Sequence, residues 1–184
     1  TDYSVWAVTR DPSVINPLIY KEQGMSKNPL DYAGMEVVSR VLTGPLGGLE
    51  AASVINVLKD SFFVTNDSCG MHLHASVDGT TLEQKKNLAE ALVKNEAAID
   101  RLIDEDRRGD HNRFAKSASH VSLEEVRAAK TTSELVNVMC PNADRNHKFD
   151  FTNLDFAGAP PTIQYRCEGG ENYLRSGMSL VVVL

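Results

Sequence analysis

The chain has 184 residues, 42% of them hydrophobic and 24% charged, so it carries enough apolar material for a sizeable core and is not compositionally disordered. Its formal net charge of -6 argues against a nucleic-acid backbone as the main partner. No apolar stretch approaches the roughly 20 residues a membrane helix needs, which argues against a membrane partner. Three widely spaced cysteines, Cys69, Cys140 and Cys167, give neither a disulfide framework nor a CxxC metal knuckle, which points to a reducing, cytoplasmic interior. Residues 1–184 read as one domain. The missing initiator Met and the apolar ending Leu180-Val181-Val182-Val183-Leu184 make it read as a piece of a longer protein at both ends.

Residues 3–9 read as a strand with Trp6 in the core, broken by the turn Asp11-Pro12-Ser13. Residues 14–33 read as a long loop. Met35 to Leu42 is a second strand with Glu36, Val38, Arg40 and Leu42 on one face. Gly44, Pro45, Gly47 and Gly48 form a breaker cluster. Leu49, Ala52, Ile55 and Leu58 recur at helical spacing and predict a helix over 49–60. A short strand over 62–65 and a turn over 66–70 follow.

Gly70-Met71-His72-Leu73-His74-Ala75-Ser76-Val77 then alternates with a period of two, the signature of a strand backed on one side. His72 and His74 share one face; Met71, Leu73, Ala75 and Val77 supply the apolar other. Two imidazoles on a rigid backed surface suit metal or phosphate chemistry.

Thr81 with Gln84 is a capping box opening a long helix whose apolar stripe runs Leu88, Leu92, Ile99, Leu102 and Ile103. Arg107-Arg108-Gly109-Asp110 ends it as a solvated terminus, where cations suit the dipole. Ser122 with Glu125 and Thr131 with Glu134 open two short helices. Residues 149–154 and 162–167 read as strands. After Gly169-Gly170, helix and strand stay open.

The sum is an α+β fold with helices packed behind strands. Glu36, His72, His74, Gln164 and Arg166 fall on polar strand faces, and one concave sheet presenting all five would be an active-site floor. So polar a face is costly unless it meets solvent or a ligand. Residue by residue, plainer readings stand beside this: solvated imidazoles, an exposed Glu36 carboxylate, a surface cation at Arg166. Cys69 lacks the flanking pattern of a nucleophile. His111, His120 and His147 sit in polar surroundings and carry no assignment.

Order adds to these readings. Asn66-Asp67-Ser68-Cys69-Gly70-Met71-His72-Leu73-His74 resembles the N-x-S-x-G-M-H-x-H stretch of glutamine synthetases. It is still more similar to the C-G-[LM]-H-x-H segment of the amidoligase family, which shares the glutamine synthetase-like fold with the glutamate–cysteine ligases. Upstream, Trp6-Ala7-Val8 with Asp11 and Ser13 resembles the family's W-x-V-x-x-D-x-S, and Gly34-Met35-Glu36-Val37-Val38-Ser39 its G-x-E-L-V-S. Downstream, Arg108 with Asn112 resembles R-x-x-x-N. Asp144-Arg145 with Phe149-Asp150-Phe151 resembles D-R-Y-x-x-L-N-L, and Thr162-Ile163-Gln164-Tyr165-Arg166 resembles T-I-E-F-R. The matches keep family order over about residues 3–170.

The resemblance implies a curved, mainly antiparallel sheet with a polar concave active face, and an ATP-dependent carboxylate–amine ligase working through an acyl phosphate. It implies ATP and Mg2+ as cofactors, with a small-molecule or peptide carboxylate and an amine as substrates. Glu36 and His72 would ligate metal. His74, with Asn66, Ser68 and Gly70, would contact the nucleotide. Arg166 and Arg145 would hold the transferring phosphoryl or the substrate carboxylate, where a guanidinium fork binds in two places. Gln164 would orient a metal-bound water or substrate. The variable loops over 14–33 and 108–121 would line the substrate pocket.

The departures are specific. The family's first strand, with its E-x-E metal site, has no counterpart here, so an upstream segment or a second chain would supply it. Gln164 stands where the family has Glu, and Gln is a weaker ligand for a hard cation. Asp150 stands where the family has Asn. Two other readings follow: a catalytically degenerate relative that only binds or assembles, and a cupin-type transition-metal site of His72, His74 and Glu36.

Overall fold

The computed structural model describes residues 4–10, 35–60, 70–103, 105–158 and 160–169. The expected loop over 14–33, the strand over 62–65, the turn residues Asn66 and Ser68, and everything after Gly169 lie outside them. The chain divides into two compact units, Thr1–Gly70 with Gly169–Leu184, and Met71–Glu168.

In the first unit β1 (Ala7–Arg10) pairs antiparallel with β2 (Met35–Val38), Ala7 opposite Val38 and Arg10 opposite Met35. The strand expected to run on to Leu42 stops at Val38, because Arg40 turns to Glu50 on the helix that follows. Arg40 Nε donates to Glu50 Oε1 at 2.8 Å, and its Nη2 closes a second bond to Oε2. Trp6 is half-buried rather than core, and its Nε1 donates to the same Oε1 at 2.6 Å. That helix, α1 (Gly44–Asp60), swallows the cluster expected to act as a breaker. Pro45 lies in its first turn, where no backbone donor is needed. A Cβ on Gly47 would come within 2.9 Å of the buried Leu42 side chain, so the glycine permits a close crossing.

The second unit contains β3 (Gly70–Ser76, entering from its first residue), α2 (Leu82–Ile99), α3 (Leu123–Ala128), α4 (Thr132–Met139), β4 (Phe149–Asp150) and β5 (Thr162–Gly169). Its sheet has the order β3-β5-β4. Val77, Ala89, Val126, Leu135, Met139, Phe149, Phe151 and Ile163 form the core. The Thr81 capping box is formed: Gln84 N–H donates to Thr81 Oγ1 at 3.2 Å and Thr81 N–H to Gln84 Oε1 at 2.8 Å. Ser122 and Thr131 cap α3 and α4.

The expected stripe is realised in part: Leu92 and Ile99 pack against the core and Ile103 is buried, whereas Leu88 lies outward and Leu102 is 80% exposed, and Ala89, Lys86 and Glu96 also turn inward. Buried Glu96 has partners that hold it there: Ser117 Oγ and Ala118 N–H donate to its Oε2, each at 3.0 Å, and Lys148 Nζ donates to Oε1 at 2.9 Å. Beyond Ile99 the helix tightens into short 3-10 turns, and Arg107 is carried inward to 4% exposure. It is not a solvated helix end. His147 is likewise buried, its ring 4.7 Å from that of His120.

The strand expected over 149–154 ends after Asp150. Asp150 Oδ1 accepts from Thr152 N–H at 2.8 Å and Thr152 Oγ1 at 2.6 Å, an Asx turn that diverts the backbone into a 3-10 turn. The fold is therefore α+β with small antiparallel sheets. The five expected floor residues do not share one sheet: Glu36 lies in the β1–β2 pair of the first unit, opposite Thr9, and is exposed.

Candidate functional site

Register assembles the site. β4 and β5 run antiparallel with Phe149 opposite Tyr165 and Asp150 opposite Gln164. On the other side of β5, Val77 N–H donates to the Pro161 carbonyl at 3.0 Å, while His72 Nε2 lies 3.2 Å from Arg166 Nη1. The two contacts run in opposite order along the neighbouring strands, so β3 and β5 are antiparallel, and the His72–Arg166 and His74–Thr162 side-chain contacts put both imidazoles on the face of β5 that carries Thr162, Gln164 and Arg166. Facing residues on antiparallel strands point to one side. One face carries Phe149, Tyr165 and Ile163, whose first two rings stack at 5.5 Å. The other carries His72, His74, Gln164, Arg166 and Asp150.

The centre of that second face is dry for its polarity, while His72 at its edge is exposed. Gln164 is 2% exposed and Asp150 1%. Gln164 Oε1, Asp150 Oδ2 and Arg166 Nε are buried and have no hydrogen-bond partner among the described residues. The nearest cation to Asp150 Oδ2 is Arg145 Nε at 3.6 Å, from an exposed side chain. Burial lowers the Arg166 guanidinium from its usual range; Asp150 opposes this, and the positive charges of Arg145 and Arg107 add to it. Burial also holds the His74 imidazole below its ordinary range, with Arg145 and Arg166 reinforcing and Asp150 opposing. His74 is thus biased neutral.

The rim is tied to the floor. Arg145 Nη2 donates to Asn153 Oδ1 at 3.2 Å, Asn153 Nδ2 to Thr162 Oγ1 at 3.0 Å, and Thr162 Oγ1 lies 3.3 Å from His74 Nδ1. Of the expected site residues, His72, His74, Gln164, Arg166 and Arg145 are brought together. Gly70 opens β3 and is exposed. Glu36 belongs to the other unit, and Asn66 and Ser68 lie outside the described residues. Sequence reasoning gave Asp150 no site role, noting it only as a departure from the family's Asn, and read Arg107 as a solvated helix end. For Asp150 the signal was present, a carboxylate within a strand resembling a site motif; for Arg107 only tertiary packing carries it.

Chemically, the face offers uncoordinated oxygens beside guanidinium and imidazole groups. Oxygen donors suit a hard divalent cation, and guanidinium forks suit phosphate or carboxylate. No group of three or more His, Cys, Asp or Glu able to hold a metal ion occurs among the described residues, and such a group is what the cupin-type alternative requires. No described helix is long and apolar enough to cross a membrane. The segment expected to line a pocket over 108–121 is pinned by buried Glu96 and by Asp110, whose Oδ1 accepts from Ser117 N–H at 2.8 Å.

A family model described as "Putative amidoligase enzyme" matches residues 1–172. No curated protein and no solved structure matches the chain.

Proposed function

The chain belongs to the amidoligase family, and on that premise we propose that it is an ATP-dependent carboxylate–amine ligase of glutamine synthetase-like architecture. The observation that supports this most is the shared face of His72, His74, Gln164 and Arg166, rimmed by Arg145. A carboxylate is a poor electrophile, so the site has to stabilise charge on a phosphoryl group in transfer. Arg166 offers a guanidinium held by burial and by His72, pre-set to meet phosphate or carboxylate oxygens in two places. Arg145 is exposed and tethered through Asn153, so it can close over the same anion. His74, kept neutral, gives a phosphate contact that does not depend on titration at neutral pH. Gln164 contributes a neutral oxygen.

The residues fit magnesium in their donor chemistry: buried oxygens without hydrogen-bond donors, on a face that also holds cations for the phosphates. When bound, magnesium supplies neutralisation of charge on the phosphates. Gln164 would hold it directly or through water, with His72 as a further ligand in this proposal. The substrates would be a small-molecule or peptide carboxylate and an amine, with an upstream segment or second chain supplying the E-x-E strand, in the cytoplasm.

The test is ADP release from ATP and Mg2+ across a panel of carboxylates and amines, with amide product followed by mass spectrometry. Matched ADP and amide formation supports the ligase. Nucleotide binding without turnover on any pair would assign the degenerate, binding-only alternative instead.

A further inference from the structure

Gln164 alone leaves the site without a carboxylate. The geometry points to Asp150 as that carboxylate: we propose that Asp150 Oδ2 and Gln164 Oε1 together are this chain's oxygen ligands for one divalent cation, Asp150 carrying the charge. This rests on the ligase reading for its phosphate partner but not for the cation site itself.

Three observations carry it. Asp150 and Gln164 are directly facing residues of the β4–β5 pair and so point to the same side of the sheet. Both side chains are more than nine-tenths buried, and each leaves one acceptor oxygen without a hydrogen-bond donor. Neither buried acceptor receives a hydrogen bond, the charge compensation nearest Asp150 Oδ2 among the described residues being the exposed Arg145 at 3.6 Å, and a cation between the facing residues would compensate both at once. Finally, Asp150 is held for the role. Thr152 fixes Oδ1 through two hydrogen bonds, which leaves Oδ2 as the oxygen without a hydrogen-bond donor.

Arg145 at 3.6 Å from Oδ2, and Arg166, whose charge Asp150 feels, oppose a bare cation here. Those guanidinia favour an anion. The site therefore takes metal and phosphate together, as magnesium sites built from one or two carboxylates and substrate phosphates do. Metal alone should bind weakly and tighten when a phosphate chain is present.

The experiment reads Mn2+ binding by electron paramagnetic resonance and calorimetry, with and without pyrophosphate. Wild type should bind Mn2+ at least tenfold more tightly with pyrophosphate present. Asp150→Asn, which keeps the Oδ1 acceptor for Thr152, should lose tenfold or more in Mn2+ affinity while binding pyrophosphate alone no more weakly. Asp150→Asn combined with Gln164→Glu returns the carboxylate to the facing strand and should restore Mn2+ affinity. Unchanged Mn2+ affinity in Asp150→Asn, weakened pyrophosphate binding in metal-free buffer, or no rescue in a folded double variant would overturn the assignment. An Asp150-dependent Mn2+ site in a protein that makes no amide would sink the ligase reading and leave this one standing.

Discussion

Two buried charge clusters stand two residues apart on the chain and differ in one respect. Lys148 is fully buried, and its ammonium meets Glu96 and Asp100 at once; those carboxylates also take Ser117 Oγ, Ala118 N–H and Gly109 N–H. That cluster is closed. Around Asp150 and Gln164 the same strand pair leaves buried Oδ2, Oε1 and Arg166 Nε without hydrogen-bond partners. That cluster is open. Burial of charge is thus no sign of function by itself. The distinction lies in whether the chain satisfies its own buried groups, since an unsatisfied one destabilises the fold.

The largest effect should come from breaking the closed cluster. Lys148→Met leaves two carboxylates buried without their cation and should lower unfolding free energy by about 3–5 kcal/mol. Urea denaturation measures it. The triple change Lys148→Met, Glu96→Gln and Asp100→Asn should recover much of the loss, because the uncompensated charges go with it.

The open cluster should behave in the opposite way. Arg166→Ala should leave unfolding free energy close to wild type and reduce turnover about 10²–10³-fold, the usual consequence of losing one preorganised charge donor at a phosphoryl or acyl centre. Steady-state kinetics beside a denaturation curve separates the two effects. A destabilisation as large as that of Lys148→Met would erase the contrast.

His74 gives a pH test of the same contrast. Its folded pKa lies below the ordinary 6.5, so between the two values the unfolded chain takes up a proton that the folded one resists. Stability is therefore full above about pH 6.5 and declines as the pH falls from there towards the folded value. His74→Gln should flatten that decline between pH 7 and 5 in denaturation curves.

Asp144 works the other way. Lys116, whose Nζ lies 2.5 Å from Oδ2, together with Asn146, holds its carboxyl at about 2, against an ordinary 3.8. Its contribution is present above 3.8 and is lost as the pH drops through about 2. The smallest effect should be at a purely local feature: Thr81→Ala removes the α2 cap and should cost about 1 kcal/mol with no change in turnover.

What the sequence discloses divides along the same line. Thr81 with Gln84 and the alternation from Gly70 to Ser76 are local patterns, and both are realised as read. The shared face of His72 and His74 follows from strand period alone. Non-local pairing is where legibility ends. Nothing in the spacing says that residue 150 faces residue 164, so the two departures, Asp150 and Gln164, read as unrelated when they are in fact neighbours. The glycines after Thr43 look like a breaker because the reason for Gly47, its approach to Leu42, depends on tertiary packing. Arg107 looks solvated for as long as α2 is assumed to run straight; its turn at Ile99 is set by Glu96 and Asp100 reaching for Lys148. Glu36 matches a site motif by local sequence, yet it pairs in a separate two-stranded sheet.

The account turns on the open face as the place where nucleotide phosphates bind. Calorimetric titration with a non-hydrolysable ATP analogue and Mg2+ examines that directly, on wild type and Arg166→Ala. The account predicts one saturable site in wild type and at least tenfold weaker binding in a folded Arg166→Ala protein. Equal affinity in the two, or no binding by folded wild type, would contradict it.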